Sequence, residues 1–556
     1  MPPSGVITAW IILFLGIGGV TGYLALCWVA WSIGNRLRTP PPAWKDYLLQ
    51  AIGARAKLPS FGNKENTIRR QLILASSNAA VYTNIVSLSV GKVDKAALDR
   101  KFKEGRQEGR RVIYGFFHLY ANAGGGGERV LWAAVKQTLA NSPNHVCAIY
   151  TGLEPSVTTG DIFERVERRF GLAVDRERIV FIFVSQRRLV DPASWPRFTI
   201  LGQAIGSLVV AYEAINQLVP DVWVDTMGQP FSYPLISWIL NIPICAYVHY
   251  PVVSSDMLAK VTRFSIKWWY WKAMQLAYTW AGSYATIVAA NSSWTQNHIQ
   301  NIWWLGHKRE RIQVLYPPCA TQDFNPDFEK PRQPVIVCIA QFRPEKRHEL
   351  LLREFAKFLK DFDETNDNKT PSKPHLMLIG SVRNDQDSSR IYSLRLLARE
   401  LELNDDYVSF LLDVPWSQVS DILQLASFGV NPMWNEHFGM VFVEYMAAGL
   451  IPIAHNSAGP KLDIIKDEKG RPGFLFTSDT DPDYDSNEKS PSLSECFTQA
   501  FSMSPETEKD YRKRSATIAG QFSDEAFADG WNKKVELLKK LELMRRKSRL
   551  IRRSFD

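Results

Sequence analysis

Cysteine is scarce and unpaired in this chain. The six cysteines, Cys27, Cys147, Cys245, Cys319, Cys338 and Cys496, are scattered over 556 residues with no C-x-x-C. A disulfide framework is not expected, and the body belongs in a reducing compartment. Cys245 and Cys338 sit in apolar runs and read as small buried hydrophobes. Metal ligands are equally short. No zinc cluster stands out, and the Asp-x-Asp strings Asp361-Phe-Asp363 and Asp481-Pro-Asp483 lie in polar loops, so no metal site is expected. Zinc-finger and RNP patterns are absent too. The net charge of +9 is modest for this length; nucleic-acid binding has no support, whereas diphosphates and anionic lipid surfaces suit it. Hydrophobic residues at 46% and charged residues at 22% exclude wholesale disorder, and the length calls for two or three compact units.

Charge is missing altogether from residues 6–33, a run long enough to cross a hydrocarbon core of about 30 Å. Trp10, Trp28 and Trp31 lie toward its ends, where aromatic rings favour the interface. The run is too long for a cleavable signal, and no basic residue precedes it. Arg36 and Arg38 follow it, so residues 1–35 read as a single uncleaved anchor with the body on the cytosolic side. The sequons at Asn291 and Asn368 should then carry no glycan. A second aromatic stretch, 266–280, is too short and too charged to span; it reads either as a helix at the headgroup level or as an amphipathic core helix. Residues 200–219, which contain Glu213, read as a buried helix.

Beyond a Pro-rich and then basic juxtamembrane region (36–107), short β-rich runs alternate with helical patterns. They fall at 112–117, 145–150, 179–184, 222–225, 244–249 and 286–290, and a second series follows at 335–340, 375–380, 408–412, 428–431 and 451–454. Strands separated by helices imply parallel, doubly wound sheets. The expected organisation is α/β, with two Rossmann-like domains (108–325 and 326–525) facing a cleft and a basic tail (526–556). That tail reads as an amphipathic helix returning to the membrane or as a plain solvated helix. Ligands at such folds sit beyond the carboxyl ends of the strands, in the strand-to-helix loops.

One such loop reads Glu436-His-Phe438-Gly439-Met440-Val-Phe-Val-Glu444. Gly439 lets backbone approach a ligand, and a helix starting there offers amides and a dipole to an anion. Glu444, about one turn inside, is placed to accept from ribose hydroxyls. Anion site, sugar-hydroxyl acceptor and a second acid together suit a nucleotide-sugar. Arg343 and Lys346, after the first strand of the second domain, can neutralise a leaving diphosphate. In the first domain, Gly124, Gly125, Gly126 and Gly127 follow a strand and precede a helix, forming a ligand loop rather than a dinucleotide fingerprint. His249 ends another strand, where its imidazole or carbonyl can contact the transferred sugar.

The spacing Glu-x7-Glu with Phe-Gly after the first acid, followed by Ala-Gly and a Pro-Ile strand, resembles the donor site of the family-4 retaining glycosyltransferases. The stretch Tyr114-Gly-Phe-Phe-His118-Leu-Tyr-Ala-Asn122-Ala-Gly124-Gly-Gly-Gly127-Glu128-Arg129 resembles, within them, the dolichol-pathway α-1,2-mannosyltransferases. The likeness covers roughly residues 110–521. It implies the two-domain arrangement called GT-B and metal independence with no cofactor. It also implies GDP-mannose as donor and the dolichol-linked oligosaccharide as acceptor, elongated by its fourth and fifth mannoses. The setting implied is the cytosolic face of the endoplasmic reticulum membrane, with other mannosyltransferases of that pathway as partners.

On the same basis Glu436, His249 and Lys346 are the catalytic candidates. Arg343, Lys346, Phe438, Gly439, Met440, Glu444, Gly126 and Gly127 belong to the donor, and His118, Asn122, Gly124 and Gly125 to the acceptor side. The family carries an Arg about five residues before the Lys; Gln341 stands there, which shifts that duty to Arg343. Two other readings are a family-4 transferase with a different sugar or lipid acceptor, and a membrane-tethered scaffold without catalysis.

Overall fold

Runs such as Val112–Phe117 and Ile179–Val184 have no charged residue on either face, so both faces must be covered by helices. The structure, a computed structural model, describes residues 4–38, 66, 67, 69, 70, 73, 74, 79, 111–152, 154, 156–253, 261–305, 311–366, 373–466, 470–485, 487 and 490–554. It divides into two compact units: residues 1–289, 298–313 and 530–556 form the first, 290–297 and 314–529 the second.

The first unit runs α1 (Ser4–Arg38), β1 (Val112–Phe117), α2 (Gly126–Asn141), β2 (His145–Gly152), α3 (Thr159–Phe170), β3 (Ile179–Val184) and α4 (Thr199–Gln217). Then come β4 (Val222–Asp225), α5 (Tyr233–Leu240), β5 (Ile244–Val248), α6 (Ile266–Gly282), β6 (Ile287–Ala290), α7 (Ser293–Ile302), whose first residues to 297 belong to the second unit, and β7 (Ile312–Val314). Its sheet has the order β3-β2-β1-β4-β5-β6-β7, with β1 parallel to both β2 and β4. Strand order reverses between β1 and β4, and in such sheets ligands bind beyond the carboxyl ends of the strands at that point.

The second unit holds β8 (Gln333–Ile339), α8 (His348–Asn366), β9 (His375–Gly380), α9 (Asp385–Glu400), β10 (Val408–Leu412), α10 (Trp416–Leu425) and β11 (Ala426–Asn431). It continues through α11 (Met440–Ala447), β12 (Ile451–His455), β13 (Phe474–Phe476), α12 (Leu493–Phe501) and α13 (Pro505–Ala519). All its strand pairs are parallel in the order β10-β9-β8-β11-β12-β13. The reversal here lies between β8 and β11. Two doubly wound parallel sheets are what the alternating pattern predicts.

Three features differ from the sequence reading. The last helix, α14 (Asp524–Ser554), is neither a free solvated helix nor one whose apolar face is left for the membrane. Trp531, Val535 and Leu538 are buried, Trp531 donates its indole N–H to Thr138 at 2.9 Å, and Arg549 donates to the Asn241 carbonyl. The juxtamembrane region is outside the described residues except at a few positions, and those are tied to the first unit. Asn66 and Arg69 bond the carbonyls of Ile215 and Gln217, and Arg70 pairs with buried Asp221, which accepts from the Ile113 amide. Helix α4, expected to be buried, buries one face only. Gly202 and Gly206 allow close approach to Trp195 and Leu189, while Leu201, Ile205, Val209 and Tyr212 on the other face are exposed. Glu213 is not in the apolar layer: it accepts from the amides of Ser185 and Gln186.

Among the described residues no helix is long and apolar enough to cross a membrane. The expected span 6–33 lies within α1, whose side chains are described only from Thr21 onward, so most of it falls outside the described residues. From Thr21 to Val29 every described side chain is exposed, Leu24, Leu26 and Trp28 among them.

Candidate active site

In the second unit the loops at the strand reversal bring two predicted residues into contact. After β8, the 3-10 turn Pro344–Lys346 presents Lys346, and after β11 the loop leads through Glu436 to α11. Lys346 Nζ donates to Glu436 Oε2 at 2.5 Å, both side chains being about four-fifths buried. Gly439 begins the helix with φ at 96°, a left-handed value that favours glycine. A Cβ there would stand 2.7 Å from Phe442 and 3.3 Å from the Glu436 side chain, so the turn and the acid share one space. Tyr445 accepts from the Ile339 amide at 2.7 Å and ties α11 to the end of β8. Glu444 lies half-buried in α11. Arg343 stays 44% exposed, its closest carboxylate being Glu345 at 3.8 Å, so it can turn to a ligand.

Phe438 behaves differently from its assignment to the donor. Its ring is buried and stacked on Tyr316 at 5.5 Å, which leaves its backbone, not its side chain, toward the turn. Met440 is likewise packed against the core under α11. The π-helical turn Pro460–Ile464 supports this floor. Asp463 accepts from the amide and hydroxyl of Ser293 and from the Tyr316 hydroxyl. Burial pushes its carboxyl above the ordinary range, against the pull of those donors.

In the first unit the loops after β1, β4 and β5 meet. Thr226 stands between the two predicted histidines: its hydroxyl is 2.8 Å from His118 Nδ1, and its carbonyl accepts from His249 Nε2 at 3.1 Å. A Cβ on Gly127 would lie 3.8 Å from the His249 ring and 4.0 Å from that of His118, so glycine admits both imidazoles to the helix start. Glu128 bridges His118 Nε2 at 3.2 Å and the Gly125 amide at 2.6 Å. Burial raises its carboxyl, but the His118 contact and the Gly125 amide outweigh this and hold it below the usual range. One amide of the glycine loop is therefore taken internally, where four uncovered amides are expected from sequence. Gly124 has φ at 80° and its carbonyl accepts from Arg169, while Gly126 opens α2 exposed. Asn122 is drawn to one side, donating to Glu154 at 3.3 Å.

Sequence reasoning missed Asp225 and Glu128 as positioning groups. Buried Asp225 accepts from the amides of Met227, Gly228 and Gln229 and from Tyr233, and so fixes the turn that presents Thr226. Burial lifts its carboxyl above the ordinary range despite these donors. An acid ending the apolar run Val-Trp-Val was its signal. Among the described residues no group of three or more His, Cys, Asp or Glu is arranged to hold a metal ion.

The two parallel-sheet units are those of the GT-B glycosyltransferases. The fold matches the sucrose-phosphate synthase of Thermosynechococcus elongatus with a TM-score of 0.53, over 77% of this chain and all of that one, at 15% identity. It also matches Anabaena Alr3699/HepE, solved with UDP and glucose, at 0.52 with 14% identity over the same shares. Residues 111–303 match the family model described as the ALG11 mannosyltransferase N-terminus, and 321–486 match glycosyl transferases group 1. A curated relative from Yarrowia lipolytica, named GDP-Man:Man(3)GlcNAc(2)-PP-Dol alpha-1,2-mannosyltransferase, is 43% identical over 99% of this chain and 96% of its own length. The human protein of the same name is 38% identical over 78% of this chain and 88% of its length. The chain belongs to this family of α-1,2-mannosyltransferases.

Proposed function

We propose that the chain transfers mannose from GDP-mannose to dolichol-diphosphate-linked Man3GlcNAc2, adding the fourth and fifth mannoses with retained α configuration. The observation that carries the site reading is the Lys346–Glu436 pair at the strand reversal of the second unit, beside Gly439 and the start of α11. Without donor the two charges satisfy each other. With donor they divide: Lys346, helped by Arg343, opposes the charge growing on the leaving diphosphate, and Glu436 turns to the hexose. Glu444 accepts from ribose hydroxyls, and the dipole of α11 faces the phosphates. These fixed positive groups take the place of a divalent cation. In the first unit, His249 donates to the Thr226 carbonyl through Nε2, which fixes its ring beside the glycine loop on the acceptor side with His118.

The acceptor is a lipid, and the first unit has a surface suited to one. Phe198 and Leu201 of the α4 region, Trp238 of α5, and Ile266, Trp269 and Trp280 of α6 are exposed. Trp238 meets Trp280 edge-on at 5.8 Å, and Phe198 meets Tyr270 at 5.4 Å. Helix α1 joins this face, Arg38 donating to the Leu240 carbonyl that ends α5. Aromatic rings at the headgroup level and an apolar α1 in the bilayer make a single-pass anchor in the endoplasmic reticulum, with the body toward cytosolic GDP-mannose.

The test is transfer by the full-length enzyme in detergent, given GDP-mannose and the Man3GlcNAc2-diphosphodolichol acceptor, with and without EDTA. Growth by two hexoses, sensitive to an α-1,2-mannosidase and unaffected by EDTA, is expected. An acceptor of unchanged size would refute the transfer, and growth only with UDP-sugars would refute the donor.

A further inference from the structure

Of the five non-glycine residues with left-handed backbone among the described residues of the second unit, two adjoin members of the Lys346–Glu436 pair. Arg347, next to Lys346, has φ at 51°; Asn435, next to Glu436, has φ at 53°. Such conformations cost energy and persist where the surroundings enforce them. The enforcing groups form one chain of hydrogen bonds. The Arg347 guanidinium donates to Asp481 Oδ1 at 2.6 Å and to the Thr480 hydroxyl. Asp481 Oδ2 accepts from the Ser478 amide at 2.7 Å and from His455 Nε2 at 2.7 Å. His455 Nδ1 lies 2.8 Å from Ser457 Oγ, and that hydroxyl accepts from the Asn435 amide at 2.9 Å. With Nε2–H donating to the carboxylate, Nδ1 faces the serine hydroxyl, and every member has a partner. Asp481 and His455 are at least nine-tenths buried, where such chains polarise one another and resist bending.

The path closes on itself. It runs from Lys346 to Arg347, through Asp481, His455 and Ser457 to Asn435, then to Glu436 and back across the 2.5 Å ion pair. Loops following four different strands (β8, β11, β12 and β13) are thereby fixed to one another. None of the four linking side chains touches Lys346 or Glu436 by any contact given above; each acts through backbone.

We propose that Arg347, Asp481, His455 and Ser457 are positioning residues that hold the backbone bearing Lys346 and Glu436 in the relation transfer requires, so that the two side chains need only turn from each other to the donor's diphosphate and hexose. This rests on the donor-site reading given under Proposed function. A displacement of about 1 Å at reacting groups lowers rates about 100-fold, which is the sensitivity such a brace guards against.

Arg347→Gly separates positioning from folding, because glycine adopts the left-handed backbone without strain while the guanidinium is lost. The full-length enzyme carrying Arg347→Gly should have a lower thermal midpoint, because buried Asp481 loses its cation, yet stay fully folded at the assay temperature. Its kcat and kcat/KM should fall together by about 10- to 100-fold, with KM for GDP-mannose within about twofold of the parent. Arg347→Lys, which keeps one charge for Asp481, should recover part of the loss. Unaltered kcat in Arg347→Gly would overturn the proposal, as would a loss matched by a fall in the folded fraction. Glu436→Gln is assayed in parallel. If it is inactive while Arg347→Gly is fully active, the brace alone is refuted; if Glu436→Gln is itself fully active, the donor-site reading fails.

Discussion

His348 begins α8 with its ring 1% exposed, stacked on Phe342 at 5.0 Å, and its Nδ1 has no hydrogen-bond partner. Burial, with the nearby charges of Arg390 and Lys346, pushes its pKa down to about 4. In the unfolded chain the same ring titrates near 6.5. As pH falls below about 6.5, the unfolded chain takes up a proton that the folded protein refuses until about pH 4. Stability is therefore lost across that window, levels off below it, and is untouched above it. At pH 5 the loss from this ring is about 2 kcal/mol, and the limiting loss is about 3 kcal/mol. His348→Leu removes the titration and also a buried nitrogen without a partner, so at pH 7 it should be neutral or stabilising by about 1 kcal/mol. Urea unfolding of both proteins in detergent at pH 7 and pH 5 supplies the test, because every other titrating group is common to the two. The parent should lose about 2 kcal/mol more than the variant between the two pH values. Equal losses would refute the buried, neutral state of His348.

Gly439→Ala should destabilise the second unit by about 1–3 kcal/mol, since a Cβ meets Phe442 and φ is positive; urea unfolding reads this, and transfer should fall with the displaced Glu436. Glu444→Ala should abolish transfer while far-ultraviolet circular dichroism and membrane insertion stay as in the parent; full activity would remove its role with the ribose. Trp531→Ala should cost about 3–5 kcal/mol in thermal or urea unfolding, because the indole is fully buried and donates to Thr138.

The sheets were legible because apolar runs such as 112–117 and 179–184 fit few structures other than strands buried on both faces. Placing each motif after a strand put Lys346 and Glu436 at the same sheet edge, but their contact comes from the reversal between β8 and β11, which the sequence pattern does not show. Side-chain direction was less accessible. Phe438 reads from sequence as part of the turn, yet it is consumed by packing on Tyr316. Helix α4 is apolar nearly all round, a pattern that signals burial whether protein or lipid provides the cover. The mixture of Leu, Lys and Arg in α14 shows an amphipathic helix but not the surface it meets. The brace from Arg347 to Asn435 joins residues distant along the chain, and no local period marks such a set. At Asn291 the reading of the sequon loses its meaning as a test of topology: the residue is 6% exposed and closed to glycosylation on any side of a membrane, and Asn368 lies outside the described residues.

The return of the last helix to the first unit has a consequence for synthesis. Apart from the short segment 290–297, the second unit is an uninterrupted stretch from 314 to 529, whereas the first lacks Trp531, Val535 and Leu538 until the residues beyond 530 have been made. The usual order, in which the amino-terminal domain matures first, is therefore expected to be reversed here. The second unit can complete its interior while the first still waits for Trp531, Val535 and Leu538, and a truncation just before residue 530 would leave the second unit whole beside a first unit short of these core side chains.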